Sequence, residues 1–356
     1  MLVACCGESP DGPSVSVLPD LDWSALTSAA VRHEVPALFY ECLNSVSGVP
    51  VSALTTLESC FHATVRANLR LSSALIEIVS ALRRAGIQAA PYKGPAVAWS
   101  LYEHPGLRQM DDIDILLRRP DIPRAVGILS DLGYRSQSTP DLRLLEGYRQ
   151  VSLVNPAGIV VELHWALMPS GHPMSGDPAP YLGRLVSVTI AGTPVPCLAA
   201  QDYLPLLCLH AAKHMWESLK WVCDLARLVH SPAIDWPLAW QRAREERYTR
   251  ALSIGLVLAR DLLGTDLPPG AEPRDPRAER LAASIPWDRR PTPPEQKLFQ
   301  LRCAETLTGK LALLRTFAQP TEADVTTPSP RVFHYPQRLL RLIRTYVLPA
   351  PSAPQQ

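Results

Sequence analysis

Apolar residues recur at helical spacing through the first quarter of the chain. Between Asp22 and Arg84 the pattern is helical throughout, and Leu69, Leu71, Leu75, Ile76, Ile78, Val79 and Leu82 mark its apolar stripe. Gly86 follows as a helix terminator would. The period then shortens. Residues 87–92 predict a strand, 95–102 a short helix, and 112–117 a second strand in which Asp112 and Asp114 alternate with Ile113 and Ile115. Residues 120–132 read as a helix stopped by Gly133. Segments 149–154 and 159–164 read as strands joined by the turn Asn155-Pro156-Ala157-Gly158, and 184–190 and 193–198 as a second pair around Ala191-Gly192. From Gln201 to about Leu263 the pattern is again helical. A proline-broken connector occupies 265–296, and a helix is expected over 295–317. Beyond Pro320 the chain is Pro-rich except for 336–347, where Arg338, Arg341 and Arg344 lie beside Leu339, Leu340, Leu342 and Ile343. That piece predicts a terminal basic amphipathic helix, packed on the domain or lying on a surface. No internal repeat is visible.

These elements predict an α/β (α+β) chain with a mixed sheet. The expected divisions are a loose N-terminus at 1–19, a helical segment at 20–85, an α/β core at 86–198, a helical domain at 199–318 and a Pro-rich tail with a short basic helix at 319–356. The chain has 356 residues, enough for two modest domains, and 47% are hydrophobic, enough for a sizeable core. Its formal net charge of +1 argues against a protein that coats nucleic acid, though not against nucleic acid as a locally held substrate. The eight cysteines form no Cys-x-x-Cys pair, so a reduced, cytoplasmic setting is expected. Met1-Leu2-Val3-Ala4-Cys5 is superficially like a lipoprotein cleavage site. No basic region or long apolar run precedes Cys5, so no signal is expected. The most apolar stretch, Ala251–Ala259, is too short to span a bilayer and reads as a buried helix.

The candidate chemistry centres on Asp112-Ile113-Asp114. Two carboxylates one residue apart on a strand share a face, and crowding them is costly unless a cation lies between. Mg²⁺ (or Mn²⁺) is the expected ion, since it leaves room for phosphate oxygens. Asp111, expected to face away, is left out. Upstream, Lys93-Gly94 sits at a strand-to-helix turn, where glycine lets backbone approach phosphate and lysine adds charge. Strand, Lys-Gly, helix and Asp-x-Asp strand together point to a nucleoside triphosphate site.

Taken with Leu101-Tyr102, Arg108, Leu132-Gly133-Tyr134, Val161-Glu162-Leu163-His164-Trp165 and His210-x-x-Lys213-His214-x-Trp216…Trp221-x-x-Asp224, these residues resemble the uncharacterised nucleotidyltransferase family of the DNA polymerase β-like superfamily. The resemblance covers roughly residues 20–260. It implies a polymerase β-like core at about 86–198. It also implies metal-dependent transfer of a nucleoside monophosphate from an NTP, with ATP expected, to an acceptor: a small molecule, a peptide natural product, a protein hydroxyl or a tRNA end. By resemblance and by strand alternation, Glu162 is the third carboxylate, binding metal or acting as base beside Asp112 and Asp114. His164 shares the face of Glu162 and reads equally as hydrogen-bonded structure. Lys93, Gly94, Lys213 and His214 are the expected nucleotide contacts. Arg108 either joins them or pairs with Asp111 or Asp112. Most superfamily members carry Gly-Ser where this chain has Gly94-Pro95, which keeps γ-phosphoryl transfer open as an alternative, as is a non-catalytic nucleotide-binding module. His210 and His214 form a His-x₃-His pair, but Ala211 replaces the glutamate a zinc hydrolase needs, and that reading ranks last. Glu217, Trp221 and Asp224 are expected to continue the face of the same helix.

Overall fold

The computed structural model describes residues 2–6, 21–136, 149–168 and 176–318. The alternating segment around Ile113 forms the second strand of a five-stranded mixed sheet. Its strands are β1 (Ala89–Pro91), β2 (Asp112–Leu117), β3 (Arg135–Ser136), β4 (Gln150–Val154) and β5 (Val160–His164), in the order β1-β2-β5-β4-β3. β2 and β5 are parallel, and the other pairs are antiparallel. β6 (Val186–Ile190) and β7 (Thr193–Cys197) form a separate hairpin. The expected mixed α/β architecture is therefore present, with β2 at the predicted bounds and the β4–β5 turn at the predicted residues.

The helices, in chain order, are α1 (Leu2–Cys6), α2 (Trp23–Arg32), α3 (Pro36–Leu43), α4 (Val51–Arg84), α5 (Pro95–Leu101), α6 (Ile122–Asp131), α7 (Ala179–Leu182), α8 (Ala200–Lys213), α9 (Leu219–Leu228), α10 (Trp236–Glu245), α11 (Thr249–Leu263), α12 (Ala278–Ala282), α13 (Pro293–Cys303) and α14 (Leu307–Ala318). None of the described helices is long and apolar enough to cross a membrane.

The two faces of β2 serve two cores. Ile113, Ile115 and Leu117 pack with Leu75, Ile78 and Leu82 of α4. Leu116, on the aspartate face, joins Tyr92 and Val97 in a core shared with α8, α9 and α11. Each fully buried Leu or Ile contributes roughly 1.5–3 kcal/mol relative to exposure, so this double anchoring holds β2 firmly. Leu69 is the exception in the predicted stripe of α4: it is 52% exposed. α4 ends in a Schellman motif. Gly86 takes a φ of +73°, its N–H donates to the Arg83 carbonyl at 3.0 Å, and the Ile87 N–H donates to the Leu82 carbonyl at 2.9 Å.

The chain enters β2 under tight control. Asn68 of α4 donates from Nδ2 to the carbonyls of Pro105 (2.6 Å) and Arg108 (2.8 Å). Arg108 then reaches the helical side. Its Nε and Nη2 donate to Oδ1 and Oδ2 of Asp224, each at 2.8 Å, and Tyr102 Oη donates to the same Oδ1 at 2.7 Å. Arg108 and Asp224 are 7% and 0% exposed. Of the two alternatives open for Arg108, the pairing with Asp111 or Asp112 is not formed; its carboxylate partner is Asp224.

Other expectations are corrected too. The helical run from Gln201 to Leu263 is four helices, α8 to α11. Its first break falls at Met215 and Trp216, both left-handed (φ 55° and 52°), after which Ser218 caps α9. Glu217, Trp221 and Asp224 therefore do not continue the helix that carries His210. The helix expected over 295–317 is two, α13 and α14. Of the N-terminus expected to be loose, residues 2–6 form α1, with Cys6 fully buried, and residues 7–19 lie outside the described residues. The predicted helix at 336–347 lies outside the described residues.

Removing one partner of a buried, hydrogen-bonded charge pair strands the other charge. Asp224→Ala is expected to lower unfolding free energy by about 3–5 kcal/mol, measured by urea denaturation. A loss below about 1 kcal/mol would show that the pair does not anchor β2 to α9.

Candidate active site between the sheet and the helices

The aspartate face of β2 looks into a cleft of about 290 Å³. Its sheet side is lined by Lys93, Gly94, Asp111, Asp112 and Asp114, and its helical side by Tyr203, His210, His214 and Trp221. Glu34, Ser218 and Lys220 also line it. Gly94 places the Lys93 turn. It has a φ of +55°, and a Cβ there would lie 2.6 Å from the Asp112 carbonyl oxygen, so a side chain would push the turn off β2.

The parallel register sets Asp114 opposite Glu162 and Asp112 opposite Val160. Asp114 is buried. Lys93 Nζ lies 3.1 Å from its Oδ1 and His164 Nε2 lies 2.8 Å from the same oxygen. His164 Nε2 is also 3.2 Å from Glu162 Oε2, and Ser152 Oγ donates to Glu162 Oε1 at 3.0 Å. Among the described residues, Asp114, Glu162 and His164 form the one group of three whose ligand atoms all lie within 4.8 Å of one another. Two carboxylates and an imidazole at that spacing fit a divalent cation. Asp112 stands outside this trio, one alternate position along the same strand face.

The charges are balanced unequally. Burial alone would raise the Asp114 pKa, but Lys93 and His164 outweigh it and hold the carboxyl well below its usual range. Burial and the nearby Asp114 push Asp112 up to about 6, against the pull of Lys93. Burial also opposes the charge on Lys93, yet Tyr92 and Asp114 keep its pKa above the ordinary lysine value. For Glu162, burial is outweighed by His164 and Ser152, and the carboxyl is lowered.

Lys93, Gly94, Arg108, Asp112, Asp114 and His214 all line the cleft. Arg108 does so with its guanidinium committed to Asp224. Glu162 reaches the site through Asp114 and His164. Lys213 is exposed at the end of α8, near enough to Lys93 and Glu162 for both to act on its titration. Asp111 precedes β2, so strand alternation does not turn it away from the cleft mouth. His210 and His214 pack with Trp221, the two imidazole centroids 5.0 Å apart and the indole 5.3 Å and 5.6 Å from them.

Sequence reasoning missed the Glu34–Ser218–Lys220 group in the cleft lining. Lys220 Nζ pairs with Glu34 Oε2 at 2.6 Å, and Ser218 Oγ donates to the Glu34 carboxylate at 3.1 Å and to the His33 carbonyl at 2.8 Å. The one local signal is the left-handed backbone of Glu34, φ 59°, which is invisible in a residue string.

The family whose model matches the chain is described as uncharacterised nucleotidyltransferase, and the match spans residues 19–264. Among solved structures, the chain is similar to an antigenic nucleotidyltransferase-like protein from Paracoccidioides brasiliensis. Identity is 16%, coverage 51% of this chain and 91% of that one, and the TM-score 0.30. No curated protein matches.

His214 ties the helical side of the cleft to pH. Burial, then Lys213 and Lys93, lower its pKa to about 4, against a weaker opposite pull from Glu34. Its folded pKa therefore lies below its unfolded value of about 6.5. Neutral His214 contributes fully above that value, and stability falls as pH drops from about 6.5 toward 4, because the unfolded chain takes up the proton first. Melting temperatures across this window should fall less steeply for His214→Gln than for wild type. Parallel curves would remove His214 from the linkage.

Proposed function

The chain belongs to the uncharacterised nucleotidyltransferase family, and on that premise we propose that it transfers a nucleoside monophosphate from a nucleoside triphosphate to an acceptor nucleophile, in the cleft between β2 and α8–α9. The proposed catalytic core is the span 86–198. The observation that carries the reading is Asp114 level with Glu162 on adjacent parallel strands, with Asp112 one alternate residue along the same face, beside a lysine held at the Gly94 turn.

In this reading Asp112, Asp114 and Glu162 hold one or two divalent cations, Mg²⁺ by expectation. When bound, such ions neutralise the triphosphate and stabilise charge building up at the α-phosphorus. The other roles belong to the chain. Lys93 keeps Asp114 ionised and presents its ammonium to phosphate oxygens. Gly94 lets the phosphates approach the turn without a side chain in the way. Pro95 stands at the first turn of α5 and has no N–H to give, so Lys93 carries more of the phosphate charge than a Gly-Ser turn would require. Glu162, which accepts a hydrogen bond from Ser152 and lies 3.2 Å from His164 Nε2, binds metal or accepts the acceptor's proton in this reading. His214 and Lys213 extend the nucleotide contacts from α8. Arg108 contributes by fixing β2 through Asp224, not by reaching phosphate.

The test uses ATP labelled separately at the α and γ positions, with Mg²⁺ or Mn²⁺ and a host-cell extract as the acceptor source. Label from the α position in a product, with pyrophosphate released, is the expected result. Asp114→Asn should lower that transfer by at least about a thousandfold, the scale on which groups that stabilise transferring phosphoryl charge act, while circular dichroism stays unchanged. Label from the γ position alone would replace the reading with a kinase. No transfer from any of the four common NTPs would leave a nucleotide-binding module.

A further inference from the structure

We propose that His164 is itself a metal ligand, through Nε2, and that it turns the site toward Mn²⁺ over Mg²⁺. The inference rests on the metal-dependent reading above and adds a ligand to it.

His164 is the last residue of β5 and shares a face with Glu162. Its side chain is 8% exposed, against 3% for Asp114 and 22% for Glu162. A buried ring nitrogen between two carboxylates should donate a well-aligned hydrogen bond to one of them. Nε2 does not. It lies 2.8 Å from Asp114 Oδ1 and 3.2 Å from Glu162 Oε2, yet it is a buried nitrogen without a hydrogen-bond partner. Close approach without alignment is the arrangement of donor atoms converging on a shared point. An octahedral ion with bonds of about 2.1 Å places neighbouring ligand atoms about 3 Å apart, and the two separations fall on either side of that value.

The ring is also held in place. Tyr92, buried on the same side of the sheet, meets it edge-on with centroids 5.3 Å apart and planes at 90°. Ser152 fixes the other oxygen of Glu162, leaving Oε2 toward His164. The Ser152 hydrogen bond is the kind of outer contact that orients a metal-binding carboxylate, and the Tyr92 ring packs against the imidazole.

The chemistry of the donor set then selects the ion. Carboxylates alone suit Mg²⁺, which takes oxygen ligands and binds neutral nitrogen weakly. Adding an imidazole favours first-row divalent ions over Mg²⁺, and among these Mn²⁺ best suits a site otherwise made of carboxylate, carbonyl and water oxygens.

The test reads the ion directly. Full-length chain stripped of metal receives one equivalent of Mn²⁺, with and without ATP, and electron spin-echo modulation is recorded. A nitrogen modulation is expected that changes frequency when the histidines carry ¹⁵N. It should vanish in His164→Gln and persist in His210→Gln and His214→Gln. Free Mn²⁺, measured by its room-temperature spectrum, should show affinity falling about tenfold or more in His164→Gln, while Mg²⁺ affinity falls far less. The labelled wild-type chain tests the nitrogen ligand even if His164→Gln fails to fold. Bound Mn²⁺ without nitrogen coupling would overturn the proposal, making His164 only a cationic neighbour of the carboxylates, and would leave the transfer reading intact. Nitrogen-coupled Mn²⁺ with no transfer of label from ATP would keep the site and sink the transfer reading. No Mn²⁺ or Mg²⁺ bound under either condition would remove both.

Discussion

The buried negative charge of Asp114 is the constraint around which the cleft is organised. A carboxylate this far from water is unfavourable unless it is compensated. A unit charge about 4 Å away interacts with it by about 4 kcal/mol at an effective dielectric near 20. Lys93 and His164 approach it from opposite sides of the strand order, Lys93 as the cation at the turn after β1 and His164 with Nε2 at the end of β5. Each can do so only because something else fixes it. Gly94 keeps the Lys93 turn against the Asp112 carbonyl. The parallel register brings Glu162 level with Asp114 and so puts His164 one alternate residue beyond.

The cleft exists because the aspartate face of β2 cannot be fully covered. Leu116 on that face joins the helical core, so the helices must approach. Asp112 and Asp114 on the same face resist apolar cover, so the helices stop short of them. Arg108 sets the separation. Its paired hydrogen bonds to Asp224 tie the entrance of β2 to α9 at a fixed distance, and Tyr102 completes the carboxylate's shell. The Arg108–Asp224 pair is thus a spacer as well as an anchor. Its net contribution to stability need not be large for it to specify that spacing.

Much of the sheet was legible because its signals are local. Ile113 and Ile115 alternate with Asp112 and Asp114, the 155–158 turn is rich in turn formers, and Gly86 is where a helix of this pattern must stop. The Asp-x-Asp pair and Lys93 stand out for the same reason, and Glu162 does so by alternation together with the family resemblance. The failures share a different cause. Arg108 takes a partner 116 residues away, and nothing nearby distinguishes Asp224 from Asp111 or Asp112. The break after α8 rests on left-handed backbone at Met215 and Trp216, two residues with no turn preference; buried packing of Trp216 overrides their local tendency. Glu34 and Lys220 meet across most of a domain, and only the folded chain shows that they face one cleft.

This division has a consequence for specificity. The sheet side of the cleft carries the residues that a motif can reveal, and in the proposed function they address phosphate and metal, which every nucleoside triphosphate presents alike. The other walls come from elements with no recognisable string: the left-handed Glu34 after α2, Ser218 and Lys220 at the start of α9, and the packed rings of His210, His214 and Trp221. In the proposed function, an acceptor entering the cleft meets these groups. The Glu34–Lys220 pair offers a hydrogen-bonding acid and base 2.6 Å apart, partly shielded from water. Such a pair discriminates by leaving charges unmatched against a poorly fitting partner, not by attracting every partner more strongly. The residues that choose the acceptor are therefore expected among those that sequence patterns do not mark, and the contrast between the two sides of the cleft is where the general chemistry ends and the particular substrate begins.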